Sequence, residues 1–130
     1  MDRTFLLLGS IAAFVGVALG AFGAHGLRAR LSTEMLAVFE TGVRYQMYHA
    51  FAILVVAVVA ARFDGWLVRA AGWLFAAGIV LFSGSLYALA LSGATRLGAV
   101  TPIGGLAFLA GWALLAFTAL ALAGAPLRPL

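Results

Sequence analysis

The sequence contains no cysteine and no lysine, and its 130 residues include only four acidic side chains and two histidines. Without cysteine, the chain has no disulfide bond, no thiolate metal site and no cysteine nucleophile. Charged residues make up 9% of the chain, whereas they make up about a quarter of an average soluble domain. Few groups are therefore available for catalysis or metal binding, and we expect neither an enzyme nor a resident cofactor.

Apolar residues are in excess instead: they make up 65% of the sequence, and the mean hydropathy is +1.15. A fold of this size cannot hide so much apolar surface from water, so the composition indicates an integral membrane protein. Eight arginines give a net charge of +4. They are scattered singly at the ends of apolar runs, which suits lipid headgroups and does not build a nucleic-acid surface. The expected partners are membrane lipids, not nucleic acid.

Four apolar runs follow one another along the chain, each long enough to cross a hydrocarbon core of about 30 Å. We predict an all-α, polytopic four-helix bundle in one domain, residues 1–130, with spans at about 4–24, 42–61, 69–91 and 102–123. Residues 33–41 are polar on one face, so we predict an amphipathic interfacial segment that leads into the second span. Four spans place both termini on one side of the membrane, and the arginine count slightly favours the cytoplasm.

Small and hydroxylated residues recur at helical spacing within the predicted spans, a pattern that favours close helix packing. In the first span, Gly16 and Gly20 are four residues apart. We expect them to pack against another helix of the same chain, with a dimer face as the alternative. The later spans contain further packing candidates: Ser83, Ser85, Tyr87, Gly104, Gly105 and Gly111.

Polar side chains concentrate around the start of the second span. One half of this helix carries Glu40, Arg44, Tyr45, Tyr48 and His49. Glu40 precedes Arg44 by four residues, the favourable order for an ion pair along a helix. We expect this pair to anchor the helix at the interface. The alternatives are that it gates a polar path or holds a lipid headgroup.

The two histidines complete a candidate functional corner near one membrane surface. His25 ends the first span, and His49 lies in the first membrane turns of the second, so an antiparallel hairpin would bring both to the same interface. We expect each ring to hydrogen-bond a backbone carbonyl or a tyrosine hydroxyl. A proton-handling pair with Glu40 and Tyr45 is one alternative, and ligation of haem or a transition metal is another.

Several motifs together resemble one known family. They are GAFGAHGL at 20–27, YQMYHA at 45–50, FSGSLYALALSG at 82–93, and TPIGG with GW within 101–112. They are similar to small membrane proteins of domain of unknown function 423, a family that includes eukaryotic transmembrane protein 256. The resemblance implies a four-helix membrane protein, in bacteria a multi-pass protein of the inner membrane. It implies no established activity, cofactor or catalytic residue.

Three functions therefore stay open at this point. The first is a structural or accessory protein that packs against itself, as a homo-oligomer, or against a larger membrane complex. The second is a small transporter or channel subunit that uses the polar half of the second helix. The third is a haem or redox subunit that uses His25 and His49. The shortage of titratable groups near mid-membrane favours the first.

Overall fold

The structure, a computed structural model, describes residues 1–63, 65–121 and 123. Regular structure in this part of the chain is helical, and four of its helices are long and apolar enough to cross a membrane. The predicted all-α membrane bundle is thereby confirmed. The predicted end of the fourth span and Arg128 of the tail lie at or beyond the limit of the described residues. The four helices are α1 (Arg3–Leu27), α2 (Thr33–Arg62), α3 (Trp66–Ser92) and α4 (Thr95–Ala121).

Helix α1 begins at a side-chain cap and ends in a wider turn. The Asp2 carboxylate accepts a hydrogen bond from the Thr4 amide at 3.0 Å, which satisfies one of the free donors of the first turn. The helix is α-helical over Arg3–Phe22 and π-helical over Gly23–Leu27. It therefore extends three residues beyond the predicted boundary at residue 24, and Gly23 lies against the ring of Phe39 in α2.

Helix α2 is a single uninterrupted helix of 30 residues, about 45 Å long. Ser32 caps it by accepting from the Met35 amide at 3.2 Å. The predicted interfacial segment 33–41 forms its first turns, with no break before the predicted span. Gly42 leaves room within this helix for the ring of Tyr87 in α3. Since the hydrocarbon core is about 30 Å thick, one end of α2 must project beyond it.

Helices α3 and α4 both depart locally from ideal α-helix. A π-helical turn, Ile79–Ser83, interrupts α3, which ends at Gly93 in the left-handed region with φ 70°. Residues 94–100, which lie between the third and fourth predicted spans, contain a 3₁₀ turn over Thr95–Ala99. The α-helical part of α4 is Thr101–Ala121, which begins one residue before the predicted span 102–123.

The helices pack in chain order, with α2 and α3 in the middle of the bundle. α1 lies along one side of α2, and α4 lies along α3. The first turns of α1 and α3 are joined by a salt bridge, 2.6 Å between the Asp2 carboxylate and the Arg69 guanidinium. Just below it, the ring of Phe5 packs against Gly72. The neighbouring helix that a polar residue of α2 meets therefore depends on the side of α2 on which that residue lies.

Candidate functional site

His49 lies inside the bundle, with 5% of its surface exposed. Its Nδ1 is 2.7 Å from the Tyr45 carbonyl oxygen, and its Nε2 is 3.2 Å from the indole Nε1 of Trp112 in α4. A carbonyl oxygen only accepts and an indole N–H only donates, so the ring is neutral and carries its proton on Nδ1. The imidazole also stacks on Phe108, with ring centroids 3.4 Å apart and an interplanar angle of 6°. His49 therefore joins α2 to α4, and both of its nitrogens are engaged.

Gln46 is a second buried polar residue, which sequence analysis missed. It is 3% exposed, and its amide nitrogen donates to the Ala12 carbonyl in α1 at 2.8 Å. Its amide oxygen accepts from the Tyr87 hydroxyl in α3, also at 2.8 Å. One side chain thus links three helices. A signal was present in the sequence, because Gln46 is its only amide side chain and lies within an apolar span, where a polar group needs partners.

Three further polar residues of the predicted polar half of α2 lie on its outer surface. Glu40 and Arg44 are exposed, and so is Tyr48, at 56%. Among the described residues the salt bridge is Asp2–Arg69, so the expected ion pair between Glu40 and Arg44 does not form. Tyr45 is partly exposed, and its ring contacts Phe82 and Phe108. The predicted polar half of the helix is therefore divided between exposed residues on the outside of the bundle and residues that pack on α3 and α4.

The structure does not bring the two histidines together. His25 is exposed in the π-helical turn of α1, beside Gly23, which lies against Phe39. Phe39 precedes His49 by ten residues, or roughly 15 Å along α2. The two rings also lie on different sides of α2, because α1 packs on the side of Met47 while His49 faces α3 and α4. The expected corner shared by His25 and His49 is thus corrected to two separate locations.

No group of three or more histidine or acidic side chains that could hold a metal ion occurs within the described ranges. For haem, His49 would have to give up the hydrogen bond that its Nε2 accepts from Trp112. Ring contacts with Phe75 and Phe108 also fill the space around the imidazole. The surroundings of His49 are those of a side chain packed between helices.

The hydroxyl residues of α3 differ in what they contact. The Ser85 hydroxyl donates to the Phe82 carbonyl at 2.9 Å, so at 2.7 Å it accepts from the Thr101 hydroxyl of α4. Tyr87 bonds to Gln46 as described. Ser83 is fully buried, but its hydroxyl has no hydrogen-bond partner among the described residues. Ser85 and Tyr87 therefore bond across helices, whereas Ser83 only packs.

The predicted packing glycines also lie at helix contacts within the chain. Gly16 and Gly20 face α2, where added methyl groups would lie 2.5 Å from Met47 Sδ and 3.3 Å from Val43 Cγ1. Gly16 is buried by this contact, so within one chain it offers no open dimer face. Two glycines of α4 face α3 and one lies near the edge of the contact. They are Gly104 against Phe82, Gly111 against Phe75, and Gly105, whose added methyl would lie 3.8 Å from the Phe82 ring.

Comparison with known proteins agrees with the motifs and the fold. A family described as "Protein of unknown function (DUF423)" matches residues 19–105. The chain belongs to this family. Among similar proteins, the UPF0382 membrane protein YwdK of Bacillus subtilis (strain 168) is 49% identical over 118 residues, which are 90% of this chain and 96% of that protein. The UPF0382 membrane protein SH2409 of Staphylococcus haemolyticus is 47% identical over 113 residues, 87% of this chain and 92% of that protein.

These family members are named as membrane proteins, in agreement with the four apolar helices. The UPF0382 membrane protein SERP0230 of Staphylococcus epidermidis is 45% identical over 122 residues, 94% of this chain and 99% of that protein. No solved structure matches the chain. The family is one of unknown function, so any role for its buried polar residues has to be argued from their contacts.

Proposed function

We propose that this family member is a non-enzymatic structural or accessory protein of the inner membrane, with cytoplasmic termini. One observation carries the proposal: each of the buried polar side chains of α2, His49 and Gln46, forms a hydrogen bond with another helix. His49 bonds to Trp112 of α4 and to its own helix. Gln46 bonds to Ala12 of α1 and to Tyr87 of α3. Such bonds hold a membrane bundle in one arrangement, because hydrocarbon offers these groups no other partner.

Transport receives less support from the same geometry. A polar path needs polar side chains that line it, yet Glu40, Arg44 and Tyr48 are exposed on the outside of the bundle. These three side chains would line a path only between copies of the chain. A redox role based on His49 would require loss of its bond to Trp112. Neither alternative has an observation in its favour as direct as the three interhelical hydrogen bonds of His49 and Gln46.

The test combines flux with stability in His49→Phe. Phenylalanine keeps the stack on Phe108 but removes both hydrogen bonds. Wild-type protein and variant are reconstituted in liposomes that trap a pH-sensitive dye, and unfolding is measured in parallel in mixed micelles. We expect wild-type proton flux equal to that of protein-free liposomes, and a variant destabilised by about 1 kcal/mol. Wild-type flux that His49→Phe abolishes, with stability unchanged, would contradict the structural role.

An absorption spectrum tests the redox alternative on the same samples. The proposal expects protein purified from cells to show no Soret band. A Soret band that disappears in His49→Phe, but remains in His25→Gln, would show that His49 ligates haem and would overturn the proposal.

A further inference from the structure

A groove runs along the lipid-facing side of the bundle between α1 and α3. Its walls are faces of residues 8–19 in α1 and of residues 76–87 in α3, and its floor is formed by Gln46 and Ile53 of α2. Its volume is about 450 Å³, within the range of about 300–1,000 Å³ that is usual for ligand sites. Apart from the Gln46–Tyr87 pair, the lining side chains are apolar.

The groove exists because α1 and α3 touch at their first turns and then separate. Phe5 packs on Gly72, and the salt bridge between Asp2 and Arg69 lies above this contact. Further along, each helix packs on α2 and not closely on the other. An apolar groove that opens sideways into a bilayer is not filled by water, because water lacks partners there. Within a bilayer, apolar groups are therefore the ones that can fill it.

The length of the groove suits one lipid leaflet. Residues 8–19 cover eleven helical steps, or about 16 Å at 1.5 Å per residue. Half of a hydrocarbon core of about 30 Å is about 15 Å, the depth reached by the acyl chains of one leaflet. The length of the groove therefore matches the depth that an acyl chain reaches within one leaflet.

The exposed charges of α2 indicate which leaflet this is. Arg44 is exposed on the outer surface, and a charge deep in hydrocarbon is costly, so the interface lies near it. Measured from Arg62 at the other interface, 30 Å corresponds to about 20 residues and ends at Gly42. Gly42 touches Tyr87, which lines one end of the groove. That end therefore lies at the interface opposite the N-terminus.

The protein surface beyond this interface is basic. Arg28 and Arg30 follow α1, Arg96 lies at the start of α4, and all three are exposed. Within the described residues, the ion pair lies on the other side of the membrane, at Asp2 and Arg69. Arginines outnumber acids on the groove side by four to two: Arg28, Arg30, Arg44 and Arg96 against Glu34 and Glu40. Basic residues at a membrane surface attract anionic headgroups.

We propose that the α1–α3 groove binds one acyl chain of an anionic phospholipid from the leaflet opposite the N-terminus. The headgroup lies near Arg28, Arg30 and Arg96, and the chain follows the groove toward Phe5. The occupant is a lipid and not a second copy of the protein, because the groove matches one leaflet in depth and its open end lies beneath unpaired cations. This site does not depend on the proposed structural function.

The groove can be filled by substitution without disturbing the fold. Gly84 lines it, and a Cβ added there has no atom within 4 Å, so Gly84→Phe is a variant whose larger side chain begins in open space. Val80→Phe is a second variant, because Val80 lines the groove and is 70% exposed. Ala113→Phe is the matched control, since it adds the same ring on the exposed surface of α4.

The binding measurement is electron paramagnetic resonance in phosphatidylcholine vesicles that contain the reconstituted protein. The probe is phosphatidylglycerol with a spin label near the end of one acyl chain. We expect an immobilised fraction with wild-type protein and with Ala113→Phe, and its loss with Gly84→Phe and Val80→Phe. A groove variant counts as folded when its helical circular dichroism equals that of wild type. One folded groove variant is sufficient for the comparison. An immobilised fraction unchanged in that variant would overturn the proposal.

The headgroup is tested by removing charge on each side of the membrane. The double substitution of Arg28→Gln with Arg96→Gln is compared with Arg3→Gln on the opposite side. The preference for labelled phosphatidylglycerol over labelled phosphatidylcholine should fall by about fivefold per arginine removed at the groove, and should be unchanged in Arg3→Gln. Equal binding of both lipids by wild type would overturn the choice of an anionic lipid. A wild-type dimer that Gly84→Phe or Val80→Phe dissociates would show that a second copy fills the groove.

Discussion

The contact between α1 and α2 and the contact between α3 and α4 both depend on glycine, but the glycines meet different neighbours. At Gly16 an added methyl group would meet the thioether of Met47, the flexible end of a side chain. At Gly104 it would overlap the backbone of Phe82, and at Gly111 the ring of Phe75. A flexible side chain can move aside, whereas backbone and a packed ring cannot. Glycines in similar sequence patterns can therefore lie at contacts that differ in how well they tolerate an added methyl group.

The largest effect should come from Gly104→Ala. Because its Cβ would overlap the Phe82 backbone, α3 and α4 must separate, and we expect a loss of about 3 kcal/mol in the free energy of unfolding. Reversible unfolding in mixed micelles measures it. The neighbouring Gly105→Ala is the matched control: its Cβ would lie 3.8 Å from the Phe82 ring, so stability should not fall. Equal losses in both variants would show that the loss at Gly104 does not come from its close approach to the Phe82 backbone.

The largest effect away from the glycine contacts should come from Gln46→Leu, which breaks the link between α1, α2 and α3. The Tyr87 hydroxyl is left in an apolar surrounding without its acceptor, and we expect a loss of about 1.5 kcal/mol. Combining it with Tyr87→Phe removes the stranded hydroxyl as well. The double variant should therefore lose less stability than the two single variants added together. Strict additivity would mean that the two side chains are not coupled.

A smaller effect is expected for Gly16→Ala at the contact between α1 and α2. Alanine favours the helix over glycine by about 1 kcal/mol, which offsets most of the cost of moving the Met47 side chain. Stability should stay within about 1 kcal/mol of wild type, whereas Gly111→Ala against the Phe75 ring should lose about 2 kcal/mol. The same unfolding assay compares the two. A larger loss of stability in Gly16→Ala than in Gly111→Ala would contradict the view that the contact between α1 and α2 is the more tolerant one.

The smallest effect should come from the outer surface of α2. Glu40 and Arg44 are exposed and do not pair, so Glu40→Gln and Arg44→Gln should each change the free energy of unfolding by less than about 0.5 kcal/mol. The double variant should equal the sum of the single ones. A coupling above about 0.5 kcal/mol would indicate an ion pair between them.

The fold could be predicted from the sequence for two reasons. The thickness of the bilayer sets the length of each apolar run, and each run must be helical because hydrocarbon offers its backbone N–H and C=O groups no hydrogen-bond partner. The candidate site could be predicted only in part. Helical periodicity showed that Arg44 and His49 share one half of α2, but not that α3 and α4 cover His49 and leave Arg44 exposed. That distinction depends on which neighbour each side of α2 meets. Gln46 was missed because periodicity does not reveal an acceptor such as the Ala12 carbonyl on another helix.

The most direct test of the packing role is the tautomer of His49, measured by solid-state nitrogen-15 NMR in lipid bilayers. The chain has two histidines, so His25→Gln leaves His49 as the only imidazole to be observed. The contacts with Tyr45 and Trp112 predict a neutral ring with its proton on Nδ1 and with Nε2 accepting a hydrogen bond. A proton on Nε2, or an imidazolium ring at neutral pH, would contradict the assignment of His49 as a link between α2 and α4.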